Sequence, residues 1–218
     1  MTVKVIVFDF DGTIADTFDS IVNIINHLSV EFGYQKASSE DVNKLRNLNS
    51  REIIKYSGVS LLKLPFLVKR VKSELNKEIH RLSPASGIRE VLLELQCQGN
   101  KLGIITSNSK SNVIAFLQNN ELQAPFDFIY SGTTLFGKSK VIGRLLQQEN
   151  LSPGEVIYVG DETRDIEAAK RTPIKVIAVS WGFNSSQALA EQNPDFLIHH
   201  PRELIEVIRS LQDPVSPN

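Results

Sequence analysis

The feature that most constrains this chain is the alternation of short Val- and Ile-rich runs with longer amphipathic stretches. Val3 to Phe8, Lys101 to Thr106, Phe126 to Tyr130, Val156 to Val159, Lys175 to Val179 and Phe196 to Ile198 are apolar enough to be strands covered on both faces, as in a parallel sheet. Between them, Ile88, Val91, Leu92 and Leu95 form a stripe at three- and four-residue spacing. Val113, Phe116 and Leu117 form a second, and Val141, Ile142, Leu145 and Leu146 a third. The alternation predicts an α/β fold: a doubly wound parallel sheet with its ligand crevice beyond the carboxyl ends of the strands.

One segment departs from this rhythm. From about Phe18 to Arg81 the pattern is helical, with Phe18, Ile21, Val22, Ile25, Leu28 and Phe32 on one face of a first helix and Gly33 as its stop. Arg51 to Tyr56 and Leu67 to Ile79 suit later helices, and Ser83 to Gly87 punctuates the return to the sheet. The expected organisation is an α/β core of residues 1–15 and 83–212, an all-helical insert over 16–82, and a frayed tail over 213–218. The crossings near Ile14 to Thr17 and Leu82 to Gly87 would act as paired hinges.

Composition narrows the partners. Lys and Arg number 24 against 25 Asp and Glu, so no basic field invites nucleic acid or an anionic membrane, and any phosphate binding must be local. The apolar start is too short for a signal peptide core or a membrane span, and the single cysteine, Cys97, reads as a packing residue in a reducing compartment. A cytoplasmic protein, monomer or homodimer, is expected.

Chemistry-bearing residues gather at the strand ends. The first strand runs into Asp9, Phe10, Asp11, Gly12 and Thr13, which puts two carboxylates at alternate positions. Such a pair suits phosphoryl transfer: one carboxylate attacks phosphorus while the other gives a proton to the leaving oxygen and later takes one from water. Gly12 permits a close turn around a phosphate and Thr13 offers a hydroxyl.

The second strand ends in Thr106, Ser107 and Asn108, a helix cap in most settings and also a set of donors for phosphate oxygens. Phe136, Gly137, Lys138, Ser139 and Lys140 supply a lysine to neutralise charge, with Lys138 preferred for its place beside the glycine. After the fourth strand come Asp161, Glu162, Thr163, Arg164 and Asp165. Magnesium takes hard oxygen ligands, so Asp9, Asp161 and the backbone carbonyl of Asp11 form a candidate set, with Asp165 behind it.

Taken in order, VFDFDGTIADT, IITSN, GKSK and VGDETRD resemble the four motifs of haloacid dehalogenase superfamily phosphatases, and the helical insert sits where that superfamily carries its first type of cap. The likeness spans nearly the whole chain and is nearest to the phosphoglycolate phosphatase-like group. It implies Asp9 as nucleophile, Asp11 as general acid and base, Thr106 and Lys138 as phosphate binders, Asp161 as magnesium ligand, Asp165 as outer ligand, and Asp16 as a residue fixing the turn into the cap. The third motif departs from the usual Lys-Pro by placing Ser139 after Lys138, which leaves Lys140 as a competitor.

The expected substrate is a small phosphorylated metabolite. Lys44, Arg46, Asn47, Asn49 and Arg51 make a basic stretch of the insert, read first as a solvated loop; with Arg46 turned inward it would favour an acidic substrate. Two other readings compete: a phosphosugar mutase of the same superfamily, and a phospho-ligand-binding module without turnover. The intact carboxylate set argues against the second, and the Thr106, Ser107, Asn108 run against the first. His27, His80, His199 and His200 lack metal spacing and are assigned to the surface or to cap packing. Trp181, Gly182 and Phe183 are assigned to aromatic packing at the rim.

Overall fold

A computed structural model describes residues 3–132, 134 and 137–212. The tail over 213–218, and Phe136 of the third motif, lie outside the described residues. Six parallel strands form one sheet: β1 (Val5–Phe8), β2 (Lys101–Ile105), β3 (Phe126–Tyr130), β4 (Val156–Gly160), β5 (Lys175–Val179) and β6 (Phe196–Ile198), in the spatial order β3-β2-β1-β4-β5-β6. Successive strands build outward from β1 to β3 and then restart on the other side of β1 with β4. The crevice therefore opens beyond the carboxyl ends of β1 and β4, where the winding reverses.

The period of two along β1 explains both layers. Ile6 and Phe8 face one core with α5 (Ile88–Cys97), α6 (Lys110–Asn119) and α10 (Glu203–Gln212). Val5 and Val7 face the other with α7 (Lys138–Gln148), α8 (Thr163–Arg171) and α9 (Ser186–Glu191). All four residues of β1 and all five of β4 are buried, as a strand covered on both faces requires. Helix phase also corrects one expectation. Cys97 is exposed, because α5 turns Ile88, Val91, Leu92 and Leu95 toward the core and the second position beyond Leu95 falls on the opposite face.

Four helices lie between β1 and α5: α1 (Phe18–Phe32), α2 (Ser39–Leu45), α3 (Ser50–Ser57) and α4 (Leu64–Glu78). Gly33 ends α1 in the left-handed region at φ 78°, its N–H reaching Ser29 O. The single stripe expected on α1 is divided: Leu28 and Phe32 are buried together with Ile24, which lies outside that stripe, whereas Ile21 and Ile25 line cavities. Helix α2 was not expected, although Ser38 and Asp41 make a capping box that signals its start.

The two crossings lie side by side. Asp16 N–H donates to Ser83 O at 3.0 Å, Ala85 N–H to Ile14 O at 2.9 Å, and Ala15 bridges Pro84. Asp16 makes this tie through its backbone while its side chain is exposed. No helix among the described residues is long and apolar enough to cross a membrane.

Candidate active site

The site begins where β1 stops. Asp9 N–H still joins the ladder, donating to Val159 O of β4 at 2.8 Å, so the carboxylate is fixed by the sheet. Its side chain is buried. Oδ1 accepts from Phe10 N–H at 2.7 Å, and Oδ2 lies 2.5 Å from Lys138 Nζ at the first position of α7. The same ammonium lies 2.5 Å from Asp165 Oδ1 and 5.5 Å from the centre of the Tyr158 ring. Burial works to lower the Lys138 pKa, but Asp165 and Asp9 outweigh it and the net direction is upward, so the lysine stays charged. Lys140, two residues along, is exposed.

Asp161 follows β4 and is fully buried. Oδ1 accepts from the Thr13 hydroxyl and Oδ2 from Phe183 N–H, both at 2.7 Å. Burial is the main cause holding its pKa well above the usual carboxylate range, followed by repulsion from Glu162, Asp9 and Asp165. Asp165, in the first turn of α8, accepts from Glu162 N–H through Oδ2 and from Lys138 through Oδ1. Burial raises its pKa too, against the pull of Lys138.

Among the described residues, oxygens of Asp9, Asp161 and Asp165 come within 4.8 Å of one another. A hard divalent cation fits this set: of three buried carboxylates only Asp9 and Asp165 pair with a lysine, and oxygen is the only donor they offer. Both oxygens of Asp9, Asp161 and Asp165 alike already accept from protein donors, so all three carboxylates stand as candidate ligands.

Asp11 stands apart from this cluster, half-buried on the floor of a cavity of about 290 Å³ that it shares with Ser107 and Asn108. Burial chiefly, then Asp9, raises its pKa to about 7, while the Asn108 amide, 3.0 Å from both carboxylate oxygens, works the other way. It can therefore hold or release a proton at neutral pH. Thr106 is buried one step past β2, its N–H on Tyr130 O and its Oγ1 accepting from Asn108 N–H. The structure thus brings Asp9, Asp11, Thr106, Ser107, Asn108, Lys138, Asp161 and Asp165 to one end of the sheet. A larger cavity of about 410 Å³ at the edge of the insert contains neither Asp9 nor Asp11.

The profile of the haloacid dehalogenase-like hydrolases matches residues 6–179. The chain belongs to this family. It is 36% identical over 208 residues to a phosphoglycolate phosphatase of Synechococcus elongatus, covering 95% of this chain and 98% of the relative. A phosphoglycolate phosphatase of Pseudomonas fluorescens is 25% identical over 214 residues, covering 93% and 78%. Among solved structures, a haloacid dehalogenase-like hydrolase of Streptococcus pneumoniae superposes with a TM-score of 0.77 at 25% identity, covering 94% of this chain and 98% of that one. A predicted phosphatase of Clostridium acetobutylicum has the same fold, with a TM-score of 0.81 at 21% identity over 96% and 100%.

Several expectations for this haloacid dehalogenase-like hydrolase need correction. The Thr13 hydroxyl is spent on Asp161, and Trp181 Nε1–H on Thr13 O, so Thr13 shapes the site from behind. Gly12, at φ 76°, owes its identity to packing as well as to turning: a Cβ there would collide with Asp161 and the Phe183 ring. In the basic stretch of the insert Lys44, Asn47 and Arg51 are exposed, as the solvated reading expects, whereas Arg46 is half-buried and turned toward the segment after β5. Arg46 donates to Gly182 O at 2.9 Å and lies 4.7 Å above the Phe18 ring, Asn184 donates to Arg46 O and Leu48 O, and Ser185 donates to Asn47 Oδ1. Lys44 pairs with Glu40, and Asn49 caps α3.

Other residues of the site escaped the sequence reading. Phe183 was assigned to packing, yet its N–H holds Asp161 and its ring, edge-on to Phe18, lines both cavities. Lys72 of α4 lines the Asp11 cavity, as do Glu162 and Arg164, which pair with each other. Asn112 of α6 bridges Asn108 to the backbone of α4.

Proposed function

We propose that this haloacid dehalogenase-like hydrolase is a magnesium-dependent phosphatase that cleaves a small phosphate monoester, phosphoglycolate-like or a sugar phosphate, through a phosphate carried on Asp9. One observation carries the reading: Asp9 is a buried carboxylate held by Phe10 N–H and Lys138, and two residues on, Asp11 faces a cavity with its pKa near 7. The first can act as nucleophile and the second as a proton donor at the same pH. The names of the curated relatives support a phosphatase acting on a small carboxylated ester.

In the first step Asp9 attacks phosphorus, the bond from phosphorus to the ester oxygen breaks, and Asp11 gives its proton to that oxygen. In the second, Asp11 takes a proton from water as the water oxygen attacks phosphorus; the bond to Asp9 breaks and inorganic phosphate leaves. Lys138 offsets charge on Asp9 and on the phosphate, while the Thr106 hydroxyl and the Ser107 and Asn108 segment hold phosphate oxygens. Asp9, Asp161 and the Asp11 carbonyl would hold magnesium, with Asp165 orienting them from behind. When bound, the ion supplies positive charge that offsets the repulsion between Asp9 and the incoming phosphate. Helices α1, α3 and α4 wall the Asp11 cavity and act as a cap, excluding bulk water during the first step.

Phosphate release from a panel containing phosphoglycolate, hexose phosphates and an aryl phosphate tests the reading, with native protein and Asp9→Asn, in magnesium or chelator. Release that needs magnesium and is lost in Asp9→Asn is the expected outcome. An isomerised sugar phosphate in place of inorganic phosphate would replace hydrolysis by transfer.

A further inference from the structure

Helix α4 carries a lysine where its own periodicity calls for an aliphatic residue. Leu64, Leu67, Val68, Val71 and Leu75 recur at three- and four-residue spacing and line the cavity that holds Asp11. Lys72 sits within that same stripe and lines the same cavity. It is half-buried, and its ammonium has no hydrogen-bonded or ion-paired partner among the described residues. The charged groups around it are Asp11, which favours its charge, and Arg164, which opposes it and is itself paired with Glu162; burial is the largest influence and pulls its pKa down. An ammonium held among aliphatic side chains gains most from an anion that arrives with the substrate, because the same surroundings that desolvate the lysine strengthen a charge pair.

The position of Lys72 relative to the chemistry is fixed. Asn112 Nδ2 donates to Lys72 O at 3.0 Å and to Asn108 Oδ1 at 2.9 Å, and Asn108 Nδ2 reaches Asp11 at 3.0 Å. Asn76, one turn along α4, donates to Asn112 Oδ1 at 2.6 Å. The phosphate has its own lysine in Lys138, on the Asp9 side. Asp11 serves the ester oxygen, so the space between Asp11 and α4 receives the alcohol portion.

On the phosphatase reading above, we infer that Lys72 selects phosphate monoesters whose alcohol carries a second anionic group, in the smallest case a carboxylate on the carbon next to the ester oxygen. Arg46 does not perform this role, since its guanidinium is engaged by Gly182 and Phe18.

Two compounds of one skeleton test it: phosphoglycolate, and ethyl phosphate, which has a methyl group where the carboxylate stood. Calorimetric binding with magnesium is compared for Asp9→Asn and for Asp9→Asn combined with Lys72→Met or Lys72→Arg. Asp9→Asn is expected to prefer phosphoglycolate by roughly 10- to 100-fold, Lys72→Met to abolish the preference and Lys72→Arg to keep much of it. Lys72→Met is also expected to raise Tm by roughly 2–4 °C, since it completes an apolar stripe, whereas a lysine kept for stability would lower Tm when replaced. An unchanged preference in Lys72→Met, or an equal loss for both compounds, overturns the inference. Turnover by the native chain is read separately: binding with the preference intact but no phosphate released from any ester would sink the phosphatase reading and leave the anion-selecting role of Lys72 standing.

Discussion

Lys138 Nζ lies 2.5 Å from Asp9 Oδ2 although the two residues are 129 positions apart, and both are buried. The pairing also involves Asp165, so one ammonium sits between two carboxylates, one just past β1 and one in the first turn of α8. Nothing local to either residue sets this geometry. It depends on α7 delivering its first residue beneath the crevice.

Removal of this lysine should therefore harm both fold and activity. Lys138→Met leaves two buried carboxylates without their partner, and a loss of about 3–5 kcal/mol in stability is expected by denaturant unfolding, with activity down at least roughly 100-fold. Lys140→Ala, at an exposed position, should stay within about twofold of native in both measurements. Equal effects at the two positions would be incompatible with the geometry.

The wall behind Asp161 should govern magnesium affinity. Gly12→Ala pushes a methyl group into Asp161, and Thr13→Val removes a hydrogen bond to it. Each is expected to raise the magnesium concentration giving half-maximal activity by roughly 10- to 100-fold, with saturating magnesium restoring more of the Thr13→Val rate than of the Gly12→Ala rate. Magnesium titrations of the three proteins check this.

Asp11 makes the metal-free protein sensitive to pH in a definite direction. Its pKa in the fold is about 7 against an ordinary 3.8, so between those values the folded state binds the extra proton. Its contribution is fully present below about pH 4 and is lost as the pH rises to 7. In chelator, Asp11→Asn should match native stability near pH 4 and exceed it by on the order of 2 kcal/mol at pH 7.5 and above, a figure reduced for the water that reaches this half-buried carboxyl. Paired urea titrations at the two pH values read the difference; a gain that is the same at both would contradict the shift.

Arg46 is expected to act on docking alone. Arg46→Ala removes the bond to Gly182 O and the contact with Phe18, so KM should rise by a similar factor, roughly two- to tenfold, for phosphoglycolate and for an aryl phosphate alike. Steady-state kinetics on both substrates would detect a selective loss for the carboxylated one, which would return Arg46 to the role argued for Lys72.

The parallel sheet and the strand-end motifs were legible because they are local. A buried strand needs an apolar run, and a residue just past its carboxyl end faces the crevice whatever else the chain does, which is why Asp9, Thr106 and Asp161 could be located by counting. Lys72 carried a signal of the same kind, a lysine in the apolar phase of α4, which is clear only once Leu64 and Leu67 are known to share its helix. Tertiary packing alone decided the partners. Lys138 and Lys140 are two residues apart, about 200° around a helix, so only the docking of α7 on the sheet determines which one meets Asp9. Thr13 reaches across 148 residues to Asp161, and Arg46 across 136 to Gly182. Helical and strand periods specify which way a side chain faces, whereas the group it meets is set by how separately formed elements pack around a common core.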